Sequence, residues 1–403
     1  MNYKKIKWLL MLLIPAMTFV HGEDFFQIKA QIIRENRLKI FSLYISPALS
    51  LDNFGYNSNI YAYQGNEEPD WTADVGLNLK VAAMLEDRFI LIINECPYYS
   101  FYAKNKQEEA FNNRFQFTAY THLGRFNLNY RFILNNTRER PNSEFGARTR
   151  QKEQKHTVSI DYGRYDRFYI NIYAEQSQKE YADERYLHDY NLSSMNRDDI
   201  ILKIDLNQRI FSRTRISLRG EYYDYHFRHN SERDGTGRKL SLGVDFPEIS
   251  SITGTMRFGW NSFFPKNSPY SHFTKPFGSG GVSIRMFNRF KFNFSYLVDN
   301  FFSFWDINQY FDERSAAAGV EFYFSRKIKI GYDYRAGNLI YKRLLDGSKT
   351  RSDDFSTSSL SIGVRIFRKM GIALTYTMYR MNSTIKDFNR KYNFIGGNII
   401  HEF

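Results

Sequence analysis

The chain has 403 residues, with 56 Lys+Arg against 43 Asp+Glu and a formal net charge of +13. Its mean hydropathy of −0.53 excludes a bundle of membrane-spanning helices, each of which needs about 20 consecutive apolar residues. Aromatic residues nevertheless make up 18% of the chain, far too many for a disordered or merely charged polypeptide. A single Cys, Cys96, excludes a disulfide scaffold and any paired-cysteine metal or redox motif, and reads as a small filler on a strand. Polar on average yet rich in rings is the composition of a transmembrane β-barrel.

In chain order, residues 1–22 read as a cleaved secretory signal. Lys4, Lys5 and Lys7 precede the uncharged apolar stretch Trp8 to Val20, which is too short to span a membrane, and Val20-His21-Gly22 supplies the cleavage site. Residues 23–36 form a short periplasmic segment, a small helix or a disordered piece, with Ile28, Ile32 and Ile33 among charges. It is far too short for the plug domain of an energised transporter.

From residue 37 to 403 the chain reads as one domain of repeated strands. Phe126, Leu128, Tyr130 and Phe132 alternate with Asn127, Asn129 and Arg131. Ile200, Leu202, Ile204 and Leu206 alternate with Lys203, Asp205 and Asn207. Phe290, Phe292, Phe294 and Tyr296 alternate with Lys291, Asn293 and Ser295. Apolar residues two apart fall on one face of a strand and on opposite sides of a helix. Short joins near 85–87, 123–124, 163–166, 208–212, 247–250, 287–289, 324–326 and 367–369 alternate with longer polar stretches between them. This asymmetry predicts an all-β, antiparallel outer-membrane barrel of about eighteen strands, with sixteen as the alternative count, short turns in the periplasm and long loops outside. A secreted β-sandwich or propeller would need a second sheet or blade to cover each apolar face.

Aromatic runs crowd the loop-side ends of strands: Tyr98, Tyr99, Phe101 and Tyr102; Tyr222, Tyr223, Tyr225 and Phe227; Phe301, Phe302, Phe304 and Trp305. They are expected to sit at the headgroup level. The chain ends on Phe403 with Ile399 and Ile395 on the same face, a pattern that resembles the signal read by the barrel-assembly machinery.

The opening Phe54-Gly55-Tyr56-Asn57-Ser58-Asn59-Ile60-Tyr61, followed by Asp70 and Val75-Gly76-Leu77-Asn78-Leu79, resembles the β-barrel porin 2 family, with Asn57 where Asp is commoner. Ser251-Ile252-Thr253-Gly254-Thr255-Met256-Arg257-Phe258-Gly259-Trp260 is similar to that family's central strand entry. The resemblance implies an outer-membrane barrel linked to exopolysaccharide biosynthesis, and it carries no catalytic residues.

No catalytic, cofactor or metal site is expected. His226 and His229 lack carboxylates at metal spacing, His188-Asp189 reads as a solvated loop, and Gly278-Ser279-Gly280-Gly281 precedes a strand and reads as a place where the wall bends. What remains is the lumen. Polar positions between lipid-facing ones place Arg114, Arg131, Lys203, Arg215, Arg219, Arg257, Arg285, Lys291, Lys329, Arg335 and Arg365 inside. They stand against Asp161, Glu175, Asp205, Glu221, Asp245, Glu321 and Asp333. Such a cationic excess concentrates anions, unless the charges pair across neighbouring strands and merely hold the wall. Tyr169, Tyr173 and Tyr323 offer ring faces to sugars. The expected function is a non-enzymatic, porin-like channel for polar or anionic solutes, including saccharides of an exopolysaccharide pathway. A non-conducting structural barrel and an outer-membrane hydrolase are the alternatives. Expected partners are outer-membrane lipid and lipopolysaccharide, the barrel-assembly machinery and polysaccharide export components; nucleic acid is excluded by export, despite a pI near 9.4.

Overall fold

The computed structural model describes residues 25–35, 38–63, 65, 67–85, 88–142, 144, 148–182, 192–211, 214–246, 251–266, 272–304, 310–341, 351–367 and 369–402. Helix α1 (Phe25–Glu35) and the short strand β1 (Leu38–Ile40) precede the strands β2 (Leu43–Asn57), β3 (Asp70–Leu85), β4 (Phe89–Tyr102), β5 (Ala110–Leu123), β6 (Phe126–Glu139) and β7 (Thr149–Gly163). Then come β8 (Phe168–Tyr181), β9 (Arg197–Arg209), β10 (Arg215–Phe227), β11 (Gly235–Phe246), β12 (Ile252–Pro265) and β13 (Phe273–Met286). The last are β14 (Phe290–Phe302), β15 (Tyr310–Tyr323), β16 (Ile328–Tyr341), β17 (Ser352–Arg365), β18 (Met370–Ser383) and β19 (Arg390–Glu402).

Each of β2 to β19 pairs antiparallel with its sequence neighbour, and β19 returns to β2, so eighteen strands close on themselves. Closure satisfies every ladder and leaves no open edge in lipid. The predicted order of short turns and long loops is the order observed. The closing seam is irregular: its register shifts at Gly397/Ile399 on β19, and the adjoining β2–β3 ladder shifts at Asp52/Gly55. A side chain at Gly55 would collide with the backbone of Ile395 and Gly396, so the strands approach closely only because both residues there are glycine. Strand β1 pairs with the first residues of β2, Leu38 opposite Ile45 and Ile40 opposite Leu43, and continues the seam below the end of β19.

The two faces separate as the alternation predicts. Ile200, Leu202, Ile204 and Leu206 are exposed on the outside, whereas Asp205 and Asn207 are buried on the inside. Contacts that skip strands identify the inside, because only a concave face lets them form: Lys239 on β11 reaches Asp299 on β14 at 2.8 Å. Glycines in the 278–281 run make room for rings rather than for a bend. A Cβ at Gly278 or Gly280 would press on Tyr296, whose ring stacks on Phe258 at 5.4 Å on the outer face.

The aromatic runs are a correction. Their period of two sends part of each run inward: Tyr102, Tyr223 and Phe227 are buried, and members of the other parity such as Phe101 and Tyr222 remain on the outer face. Tyr223 lies over Gly237, and its hydroxyl donates to Asn261. Trp305 and Phe403 lie outside the described residues, as do residues 1–24 with the expected signal. Helix α1 is formed, and it lies inside the barrel. Phe25, Ile28 and Ile32 pack on Tyr44, Ala82, Ile90 and Ile92, all from inward positions of β2, β3 and β4.

Candidate functional site: the lumen

Strands β2 to β19 carry one side chain in two into the barrel, so the lumen is lined by alternate residues of every strand. All eleven basic residues expected inside lie on inward positions, and the structure divides them into two groups. Six face carboxylates across neighbouring strands. Arg114 meets Glu139, Lys203 meets Glu221 at 3.5 Å, and Arg219 meets Asp205 at 2.5 Å. Lys291 and Lys329 share Glu321 at 3.4 and 3.8 Å, and Arg335 meets Glu313 at 2.6 Å. These pairs cancel their own long-range field and tie strands together.

The other five, Arg131, Arg215, Arg257, Arg285 and Arg365, have no carboxylate within ion-pair distance among the described residues. Arg215 donates to the Tyr169 hydroxyl at 2.8 Å and lies over that ring. Arg257 is only 6% exposed. It donates to Ser217 at 3.2 Å and Ser241 at 3.4 Å, and Gly243 supplies the room beneath it. Buried nitrogens of Arg131 and Arg257, both Nε, make no hydrogen bond. Inward acids without a cation at that distance stand beside them. Asp161 accepts from Asn171 at 2.6 Å and from Tyr165 at 2.7 Å.

Several lumen charges escaped the sequence reading. Lys155 lies between Glu153 and Glu175, each at 3.6 Å, and Lys179 reaches Asp199 at 3.2 Å. Lys275 meets Asp312 at 2.6 Å. Lys155 and Lys179 were findable, since they continue the parity of Asp161 and Glu175. Lys239 and Lys275 also join rings, lying 4.9 Å over Phe277 and 4.5 Å over Phe273. Of the three rings expected to face sugars, Tyr169 is buried under Arg215, whereas Tyr173 and Tyr323 are half-buried beside Glu175 and Glu321.

The half of the lumen at the long-loop end is crossed by Glu144. Glu144, between β6 and β7, is buried against the far wall. It accepts from the Ser303 hydroxyl at 2.6 Å and the Phe304 amide at 2.7 Å, and lies 3.7 Å from Arg351. Arg390 on β19 donates to the Glu144 carbonyl. Arg351 is fully buried between the rings of Tyr341 and Phe388 and bonds Asp353. Burial opposes its charge, but Tyr341, Asp353 and Glu144 push its pKa up, so the guanidinium stays protonated. Aromatic clusters flank this crossing. Leu192, Met195, Phe227 and Phe304 form one; Phe311, Leu339, Tyr341, Phe355 and Met381 form the other.

Elsewhere the chemistry is plain. His226 bonds Asp234 at 2.9 Å, a carboxylate partner the sequence did not reveal, and no group of His, Cys, Asp or Glu fit for a metal occurs among the described residues. His188-Asp189 lies outside them. Ile395 and Ile399 sit on the outer face of β19, Ile395 being 60% exposed.

No family model matches the chain, and no curated protein matches it either. The resemblance to the β-barrel porin 2 family therefore remains an expectation. Solved structures do match. Pseudomonas aeruginosa OccK2 (OpdF) aligns with a TM-score of 0.54 at 11% identity, covering 89% of this chain and 97% of its own. The same protein is also solved in complex with glucuronate. Acinetobacter baumannii OccAB3 aligns at 0.52 with 10% identity, over 89% of this chain and 99% of its own. A BenF-like porin from Pseudomonas fluorescens Pf-5 aligns at 0.54 with 11% identity, over 90% and 98%. At such identities the likeness lies in the fold: this chain is a closed antiparallel barrel of eighteen strands, of the kind that outer-membrane porins form.

Proposed function

We propose that the protein is a non-enzymatic outer-membrane channel through which polar solutes pass passively, with anions favoured. The observation that carries this reading is the separation of faces on one closed ring: an apolar belt outside and a charged, hydrogen-bonding wall inside. An eighteen-stranded barrel exceeds the width that side chains alone can fill. The preference for anions rests on the five arginines with no carboxylate within ion-pair distance among the described residues, since paired charges add little field in a water-filled passage. Acidic saccharides fit this chemistry: carboxylates accept forked bonds from arginine, and hydroxyls exchange bonds with a polar wall. Glucuronate bound to OccK2 is an instance in a barrel of the same architecture. Fragments of an exopolysaccharide are the natural candidates, with export components as partners. Lipopolysaccharide would surround the barrel, and the assembly machinery would read Ile395, Ile399 and Phe403.

A second reading, a non-conducting structural barrel, is favoured by one observation, the Glu144 crossing with its flanking clusters. Planar-bilayer recording of the purified protein under a salt gradient separates the two. The expected result is discrete conductance steps with a reversal potential on the anion side. Absence of conductance would establish the structural barrel, and a cation preference would refute the role given to the five arginines.

A further inference from the structure

We propose that α1 is the selectivity element of the periplasmic mouth: a helix held on a dedicated apolar seat inside the barrel, narrowing the passage and presenting Arg34 to it. The proposal rests on the channel reading and names the residues that set its filter.

The seat is the first argument. Near the periplasmic end of β7 to β11, inward positions include Asp161, Asn171, Asp205, Asn207, Ser217 and Asp245, polar groups buried among one another. At the same end of β2 to β5 they are Tyr44, Ala82, Met84, Ile90, Ile92 and Tyr120, an apolar patch where water would otherwise stand. Exposed apolar area costs about 25 cal/mol per Å². A porin wall has no use for such a patch unless something covers it. Phe25, Ile28 and Ile32 do so, and remain only 2%, 4% and 1% exposed.

The helix is the second argument. Its spacing of three and four residues places Phe25, Ile28 and Ile32 on one stripe. Gln27, Ala30 and Arg34 then fall on the opposite side, and all three are exposed. Docking thus covers the apolar patch and brings a cation into the mouth, with Phe26 and Ile33 left half-exposed on one flank of the helix. A helix with its side chains is about 10 Å across, so it removes a substantial share of the bore.

Its fastening is the third. His122 on β5 stacks on the Phe25 ring at 5.8 Å and meets Phe26 edge-on at 5.1 Å, while its Nδ1 is held 2.7 Å from Asn127. At the other end α1 is followed almost at once by β1, which is paired to β2. So short a tether keeps the helix at high effective concentration over its seat.

The test uses the whole mature chain in membranes, in a Cys96→Ser background, with two readouts. Ile90→Cys reports the seat through its labelling rate with a membrane-impermeant thiol reagent. The rate should be low in the full chain and rise severalfold when residues 25–35 are deleted. It should rise likewise in an Ile28→Asp, Ile32→Asp double variant, which retains every residue; heat-modifiable mobility certifies closed barrels in each. Conductance should increase in both release variants and anion preference should fall, whereas Arg34→Glu should lower anion preference at nearly unchanged conductance. Unchanged labelling would overturn the seat whatever the conductance does. Exposed labelling with conductance equal to that of the full chain would overturn the filter and leave the channel reading standing. Exposed labelling without conductance in any variant would remove the channel reading and the filter with it.

Discussion

Two stretches of the same wall, β2–β5 and β7–β12, obey opposite rules on their inner faces. Along β7–β12 the inner positions are charged or hydrogen-bonding: Asp205 holds Arg219, Asp161 holds Asn171, and Arg257 lies against two serines. Along the periplasmic end of β2–β5 they are Tyr44, Ala82, Ile90 and Ile92, and α1 covers them. Outer faces are apolar in both. The difference teaches that an inner face is set by what stands against it, polar side chains in one place and a helix in the other. A strand covered on both faces reads as a continuous apolar run, as buried parallel strands do.

The comparison can be broken most forcefully at the seat. Ile90→Asp places a carboxylate under α1, and burial of an unpaired charge costs several kcal/mol, so the helix should leave. Labelling of a cysteine at position 28 should then become fast, and Ser217→Asp on the opposite wall should leave it slow.

Next in size is the crossing. Glu144→Ala removes the acceptor of the Ser303 hydroxyl and the Phe304 amide and takes one carboxylate away from Arg351. Stranded buried donors cost about 1–3 kcal/mol each. Open-channel conductance and its fluctuations should rise, and the denaturant midpoint should fall. Glu144→Gln, which keeps an acceptor oxygen, should give a smaller change in both.

A third variant sharpens the polar wall. Arg131→Gln with Arg257→Gln removes two of the five uncompensated cations, and the reversal potential should move toward zero. Lys203→Gln breaks a lumen ion pair that is partly hydrated. Such pairs contribute about 0–1 kcal/mol, so stability should not shift measurably, whereas the freed Glu221 should move the reversal potential toward zero by less than the double arginine variant does. The smallest effect on the folded protein is expected from deletion of Phe403. Its consequence should be kinetic, a lower yield of heat-modifiable barrel in outer-membrane fractions, while the barrels that do form keep their conductance.

Much of this was legible in the chain. Eighteen strands, their turns and loops, and the inward parity of all eleven basic residues follow from a period of two, a local property of the backbone. The docking site of α1 was legible too, had the run Phe89-Ile90-Leu91-Ile92-Ile93 been read as a strand covered on both faces. Ile28 and Ile32 likewise announced a one-sided helix. The partners of the charges were not legible. Glu321 could have served either neighbouring lysine or both, and Glu144 is held by Ser303, Phe304 and Arg351, far away in sequence.

By itself, then, the sequence determined which side chains face outward and which face the interior, because alternation is dictated residue by residue. Only the tertiary structure decided which interior charges neutralise one another, which half of each aromatic run packs inside, and what occupies the bore. Those outcomes depend on distances across a closed ring, such as Lys239 to Asp299 or Glu144 to the opposite wall, and no period along one strand encodes such a distance.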